Sequence, residues 1–282
     1  MNLIYTQKVN KIQLKNYADE VIIWFFGDVH RDATCDVDRW HKFLEQSAKD
    51  DAYYFGMGDY HDFASGSEQK KLEDAHLHET TVKTFDDMVE SKNREFCKEI
   101  KHMRGRLLGM IEGNHSWHLQ SGKTSTEDLA DRMDTQYLGW LCHYTITFSA
   151  NSKSLGFHIV LCHGRAGGKT YGITVNQVGD LKTIFPVADI YCMGHDHQRW
   201  ADCISVLIPT ISGGNGWKIK QKEQLLCRSG SFKKSYEPGV AGFEARKLLK
   251  PANLGALKVI IRLNRVRNDG TDTFHPEINA VV

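Results

Sequence analysis

Residues 21–30 read VIIWFFGDVH: six apolar residues, Val21 to Phe26, then Gly27, Asp28, Val29 and His30. An apolar run of that length, rich in β-branched and aromatic side chains and closed by glycine, is the pattern of a buried strand. A carboxylate and an imidazole two residues apart follow it at once. The same design recurs down the chain in AYYFGMGDYHD (52–62), LLGMIEGNH (107–115), FHIVLCHG (157–164) and ADIYCMGHDH (188–197). Each is a short apolar run that ends in a polar, glycine-containing segment.

Helical patterns lie between the runs. Val37, Trp40, Phe43 and Leu44 stand at helical spacing within 36–49. Thr124 with Glu127 forms a capping-box pattern ahead of Leu129 and Met133. Val175, Val178, Leu181, Ile184 and Phe185 share a face within 175–185, and Pro186 stops that helix. Strand-then-helix alternation predicts a layered α/β fold. In such folds ligands bind beyond the carboxyl ends of the strands, which is where every polar cluster falls.

No repeat or Pro-rich linker divides the 282 residues, so residues 1–282 are expected to form one domain. Residues 66–106 interrupt the alternation and read as a helical insertion, with His76 and His78 facing solvent. Residues 213–250 hold nine Lys or Arg (Lys218, Lys220, Lys222, Arg228, Lys233, Lys234, Arg246, Lys247, Lys250) against three Glu, and their weak periodicity predicts a basic loop or lid. Trp217, Phe232, Tyr236 and Phe243 are interleaved there, which would suit an anionic polymer. A net charge of +1 argues against a polymer-wide field and favours a solvated surface. No run approaches the ~20 apolar residues of a membrane span, and the first residues lack a secretory pattern, so the expected compartment is the cytoplasm and no membrane partner is implied. Seven scattered cysteines without a CxxC pair read as reduced thiols in that setting.

The clusters, taken together, point to metal chemistry. Hydrolysis of a phosphate ester at neutral pH needs phosphoryl charge offset, a water activated and the leaving oxygen protonated. Two divalent cations about 3.5–4 Å apart meet the first two needs. Their ligands must come from several strand ends, because no single element encircles two ions. Asp28-x-His30, Asp59-x-x-Asp62, Asn114-His115, His163 and His195-x-His197 supply them in order. Side chains two apart on a strand share a face, so Asp28 with His30, and His195 with His197, are expected to point together. The glycines before Asp28, Asp59, Asn114 and His195 are expected to supply sharp turns. Mixed nitrogen and oxygen donors favour manganese, with iron or zinc as alternatives.

The order D-x-H, G-D-x-x-D, G-N-H, H, G-H-x-H, spanning residues 28 to 197, resembles the signature of the calcineurin-like metallophosphoesterase superfamily. The resemblance implies a four-layer α/β/β/α sandwich with a dinuclear site at one edge. It assigns Asp28, His30 and His197 to one metal, Asn114, His163 and His195 to the other, and Asp59 to both. It makes His115 the residue that contacts substrate and protonates the leaving group, with Asp62 orienting it. Arg31 stands where the family often has a glycine after the first histidine, and Ser116 where it often has an acid. The Arg-Gly that follows the second motif in phosphoprotein phosphatases is absent, which argues against a protein Ser/Thr phosphatase.

The expected activity is therefore a dinuclear phosphodiesterase using a metal-bridging hydroxide, acting on a phosphate ester such as a nucleotide. A nuclease on DNA or RNA and a phosphomonoesterase are the alternatives within the class. A non-catalytic scaffold, as retromer-type members of the superfamily are, is the alternative outside it; an intact ligand set ranks it lower. Gly167-Gly168-Lys169-Thr170 suggests a P-loop, but a Walker pattern needs glycine where His163 stands. Arg165, Lys169 and Asn215 remain candidate substrate contacts, since guanidinium and ammonium groups bind phosphate oxygens.

Overall fold

A computed structural model of the chain describes residues 5–15, 19–150, 153–165, 170–212, 216–236, 238, 243–268 and 271–282. In chain order its elements are β1 (Tyr5–Gln13), β2 (Glu20–Phe26), α1 (Val37–Lys49), β3 (Ala52–Gly56), α2 (Gly66–Asp74), α3 (Glu79–Glu99), β4 (Leu107–Met110), α4 (Ser125–Met133) and β5 (Leu141–Ala150). They continue with β6 (Lys153–Cys162), α5 (Tyr171–Ile184), β7 (Ile190–Met193), β8 (Arg199–Ser212), β9 (Gly216–Ser229), α6 (Phe243–Lys247), β10 (Leu257–Asn268) and β11 (Thr271–Val281). The fold is mixed α/β, with two sheets and six α-helices among the described residues.

All five apolar runs are strands. β2, β3 and β4 are parallel neighbours in a five-stranded sheet of order β11-β10-β2-β3-β4. β6 and β7 are parallel neighbours in a six-stranded sheet of order β1-β5-β6-β7-β9-β8. The sheets pack face to face through a core that includes Phe25, Phe55, Tyr144, Phe157, Ile159 and Val259. Behind the five-stranded sheet, Trp40 and Phe43 of α1, Phe96 of α3 and Leu129 of α4 bury its outer aromatic face. Behind the six-stranded sheet, Val178 and Leu181 of α5 cover Val160 and Tyr191. Apolar strands covered on both faces explain why these runs lack polar alternation.

The helices start where their side chains cap them. Asp36 accepts the Arg39 N–H at the start of α1, and Thr124 and Glu127 form the reciprocal capping box of α4. α5 begins at Tyr171 and ends just before Pro186, and its buried face carries the polar Thr174 and Gln177 beside Val178 and Leu181. Ile184, expected on that face, is exposed.

Residues 66–106 are helical, as α2 and α3 with a 3-10 turn at Lys101–Met103, and His76 and His78 are exposed. The basic segment differs from the expected loop or lid. Residues 216–229 form β9, which pairs with both β7 and β8, because the apolar stretch Leu225–Cys227 completes the six-stranded sheet. Phe232 is core, whereas Trp217 and Tyr236 are exposed. All seven cysteines are free thiols; five are buried, Cys97 is half-buried and Cys203 is exposed. No helix among the described residues is long and apolar enough to cross a membrane.

Candidate metal centre

The polar clusters leave the carboxyl ends of β2, β3 and β4 in one sheet and of β6 and β7 in the other, so they meet where the two sheets share an edge. Backbone hydrogen bonds lock the loops side by side. Asp28 N–H donates to the Gly58 carbonyl (2.9 Å), His30 N–H to Asp59 (3.0 Å) and Arg31 N–H to Tyr60 (2.9 Å). The third loop crosses between sheets, since the His195 N–H donates to the Asp28 carboxylate at 2.9 Å.

Strand alternation is not what makes these side chains converge. Asp28, His30, Asp59, His195 and His197 all lie past their strands with left-handed φ of 47°, 45°, 50°, 72° and 57°. They are five of the eight non-glycine residues with positive φ among the described residues, so backbone strain is concentrated here. Asp and His tolerate that region better than most side chains. The preceding glycines serve mainly to leave space. A Cβ on Gly113 would stand 2.1 Å from Asp59 Oδ1, and only Gly58 of the four has a positive φ, 95°.

Two ligand triplets result, each with its atoms within 4.8 Å of one another: Asp28, His30 and His197, and Asp59, His163 and His195. Asn114 joins the second. Its Oδ1 lies 3.0 Å from His163 Nε2 and 2.6 Å from His195 Nδ1, and those nitrogens are 3.3 Å apart. Asp59 stands between the groups, with Oδ2 3.2 Å from His163 Nε2 and 3.8 Å from His30 Nε2.

The donor set suits cations. His163 Nδ1 is 2.8 Å from the Met57 carbonyl, which only accepts, so Nδ1 carries the proton and a neutral ring turns its Nε2 lone pair onto Asn114 and Asp59 oxygens. Converging lone pairs require a positive charge. A second proton is one solution: burial lowers the His163 pKa, but Asp59 outweighs it and pushes His163 up to about 9. A divalent ion is the other, and backbone-held imidazoles are typical of metal ligands. Both ring nitrogens of His30, which is 1% exposed, lack a hydrogen-bond partner among the described residues. Burial pushes Asp28 up to about 7, against the pull of His163. Burial also pushes Asp59 upward, yet His163 holds it well below the usual carboxylate range. Burial pushes His195 down to about 3, so it is a neutral donor.

A third group couples His30 to the expected catalytic pair. His115 Nδ1 contacts Asp62 Oδ1, and Asp62 Oδ2 lies 3.6 Å from His30 Nδ1. Burial lowers the His115 pKa, but Asp62 and Asp59 outweigh it, so His115 titrates above its ordinary value. The backbone of His115 is pinned through its N–H to Asp59 Oδ1 at 3.0 Å. Arg31 needs no glycine-like φ, and its guanidinium forks onto Glu99 of α3.

The three candidate substrate contacts fare differently. Arg165 is exposed and paired with Asp180 of α5 at 2.8 Å. Lys169 and Asn215 lie outside the described residues, as does the Gly167–Gly168 turn.

Four residues of the 213–250 segment belong to this region. Arg228 is fully buried, donating to the Gly194 carbonyl (2.6 Å), Gln177 Oε1 (2.7 Å) and the Thr174 carbonyl (3.2 Å), with Asp196 at 3.4 Å. It props the loop that presents His195 and His197. Lys233 Nζ stands 3.6 Å from Asp62 Oδ2 with its side chain 13% exposed. Ser231 Oγ and Phe232 N–H both donate to the Asp28 carbonyl, at 2.9 and 3.0 Å. One signal for Arg228 was present: a single arginine inside the apolar run LLCRSGSF.

No family model and no curated protein matches the chain. Solved structures do. Vacuolar Protein Sorting 29 from Cryptosporidium parvum aligns at 11% identity and a TM-score of 0.35 over 93% of this chain and 99% of that one. Vps29 from Chaetomium thermophilum aligns at 9% and 0.37 over 92% and 97%. GAP50, the anchor in the inner membrane complex of Plasmodium, aligns at 13% and 0.40 over 86% and 81%. These are loose superpositions, and the weight falls on the chain's own strand order and site.

Proposed function

We propose that the chain is a dinuclear metal-dependent phosphodiesterase of the calcineurin-like metallophosphoesterase type. The observation that carries this reading is the pair of buried ligand triplets with the Asp59 carboxylate between them. Asp28, His30 and His197 would hold one divalent ion, and Asn114, His163 and His195 the other, with manganese preferred and iron or zinc also suited. Two ions in those sets supply charge to the phosphoryl oxygens and make water a nucleophile at neutral pH.

The chain's own groups do the rest. The Met57 carbonyl orients His163 through its Nδ1–H, and the Asp28 carboxylate anchors the His195 backbone, so the donors are preorganised before substrate arrives. Asp62 holds Nδ1 of His115 and favours the charged imidazole, which leaves Nε2 to deliver a proton to the departing oxygen. Lys233 faces the same Asp62 and adds a positive charge beside the pair. The diester preference rests on the missing Arg-Gly of the phosphoprotein phosphatases.

The test is hydrolysis of bis-p-nitrophenyl phosphate against p-nitrophenyl phosphate, with manganese and with chelator. Faster, manganese-dependent turnover of the diester supports the reading, and Asp59→Asn and His163→Ala are expected to abolish it. Activity that survives chelator or either substitution would sink it.

A further inference from the structure

The helical insertion does more than flank the metal centre: between α2, α3 and the loop after His115 lies a cleft of about 260 Å³ lined by Gln69, Leu72, His76, Leu77, Val82, Trp117 and His118. It adjoins the proposed chemistry through the chain itself. Trp117 is two residues beyond His115, so their Cα atoms are within about 7 Å. Gln69, on the cleft wall, donates to the carbonyl of Ser116, the residue between them.

Its walls define an occupant. The Trp117 indole is fixed, with Nε1–H donating to Asp86 Oδ1 at 2.9 Å and Phe85 packed against it at 5.4 Å between ring centroids. Leu72, Leu77 and Val82 give the cleft an apolar side, while His76, His118 and Gln69 give it a polar rim. An alkyl chain would cover Leu72, Leu77 and Val82 but set nothing opposite the imidazoles of His76 and His118. A sugar would set hydroxyls against leucine and valine. A flat heteroaromatic ring has an apolar face and a hydrogen-bonding edge, and so meets both. The volume falls below the usual ~300–1,000 Å³ of small-molecule sites, which suits one ring system rather than a peptide or a polymer track.

We infer that this cleft binds the nucleobase of the leaving group, stacked on Trp117, so that the substrate is a nucleotide-type phosphodiester. The inference rests on the phosphodiesterase reading and adds its substrate class. The experiment is calorimetric titration of the manganese-loaded full chain with adenosine 5′-monophosphate and with ribose 5-phosphate. Stacking of a base on an aromatic side chain contributes ~1–3 kcal/mol, so the nucleotide is expected to bind about 5- to 150-fold more tightly. Trp117→Ala and, separately, Leu77→Glu are expected to bring the ratio close to one while leaving ribose 5-phosphate binding unchanged; Trp117→Phe is expected to keep most of it. Equal affinity for the two ligands in the wild type, or a ratio untouched by both Trp117→Ala and Leu77→Glu, overturns the base site alone. Failure of the manganese-loaded chain to bind either phosphate overturns the metal-centre reading and this inference with it.

Discussion

Replacing Arg228 with methionine tests whether a buried cation supports the loop carrying His195 and His197. The guanidinium lies on the Gly194 carbonyl at 2.6 Å, on Gln177 Oε1 at 2.7 Å and within 3.4 Å of Asp196 Oδ1, with no exposure of the arginine. Methionine fills much of the stem volume but returns none of these bonds. Removing one member of a buried ion pair costs about 3–5 kcal/mol, mostly because the other charge stays buried. Lys250 Nζ, 4.0 Å from the other Asp196 oxygen, offsets part of that, so about 3 kcal/mol is expected. Urea unfolding of the chelator-treated protein measures it. The double variant Arg228→Met, Asp196→Asn is expected to recover about 2 kcal/mol, because no buried carboxylate is left unpaired by the lost guanidinium. Gly194 immediately precedes the two histidines, so the single variant is also expected to weaken metal binding about 10- to 100-fold. A loss under 1 kcal/mol together with unchanged metal affinity would refute the reasoning.

Gly113→Ala sets a Cβ 2.1 Å from Asp59 Oδ1 and is expected to cost at least about 1–3 kcal/mol and the Asp59-dependent ion; Gly122→Ala keeps open space around its Cβ but strains a φ of 84°, so it serves as the unfolding control with metal content intact. Asp62→Asn removes the main partner that raises His115, so burial is opposed only by Asp59 and the pKa is expected to fall from the parent's raised value, which imidazole NMR titration reads. In the parent, charged His115 contributes stability below its unfolded pKa and loses that contribution as pH rises through the raised folded value. A His115 pKa that Asp62→Asn leaves unmoved would contradict the pairing. Thr124→Ala removes the α4 cap and the 2.6 Å bond to Glu112, for an expected loss of about 1–2 kcal/mol in thermal or urea unfolding. Native-state alkylation at pH 8 is expected to label exposed Cys203 first, since burial pushes Cys97 and Cys142 each up to about 11.

The five strands that carry ligands were legible because each is largely buried on both faces and so writes a short, mostly apolar run that ends in a polar, glycine-containing segment. The cap of α4 was legible for a local reason too, its two partners being three residues apart. β1 and β8 were not, because edge strands with one wet face mix Lys, Gln, Asp and Thr into their alternation. The segment 213–250 misled for a related reason. The tip of β9 is exposed and lysine-rich while its last residues are core, so its average composition resembles a loop. Which residues meet at the metal centre followed from motif order; how they meet did not. Left-handed φ at five ligands and close glycine packing are properties of crossing loops, and a strand rule applied past the end of the strand cannot give them. Arg228 and Lys233 reach the site only through tertiary contacts.

The most direct measurement is the manganese stoichiometry of the purified chain by equilibrium dialysis, with hydrolysis of bis-p-nitrophenyl phosphate followed on the same samples. The account predicts two ions per chain, turnover that rises with the second ion, and loss of both in Asp59→Asn. Fewer than two ions in the parent chain, or an Asp59→Asn variant that still binds two and turns over, would contradict it.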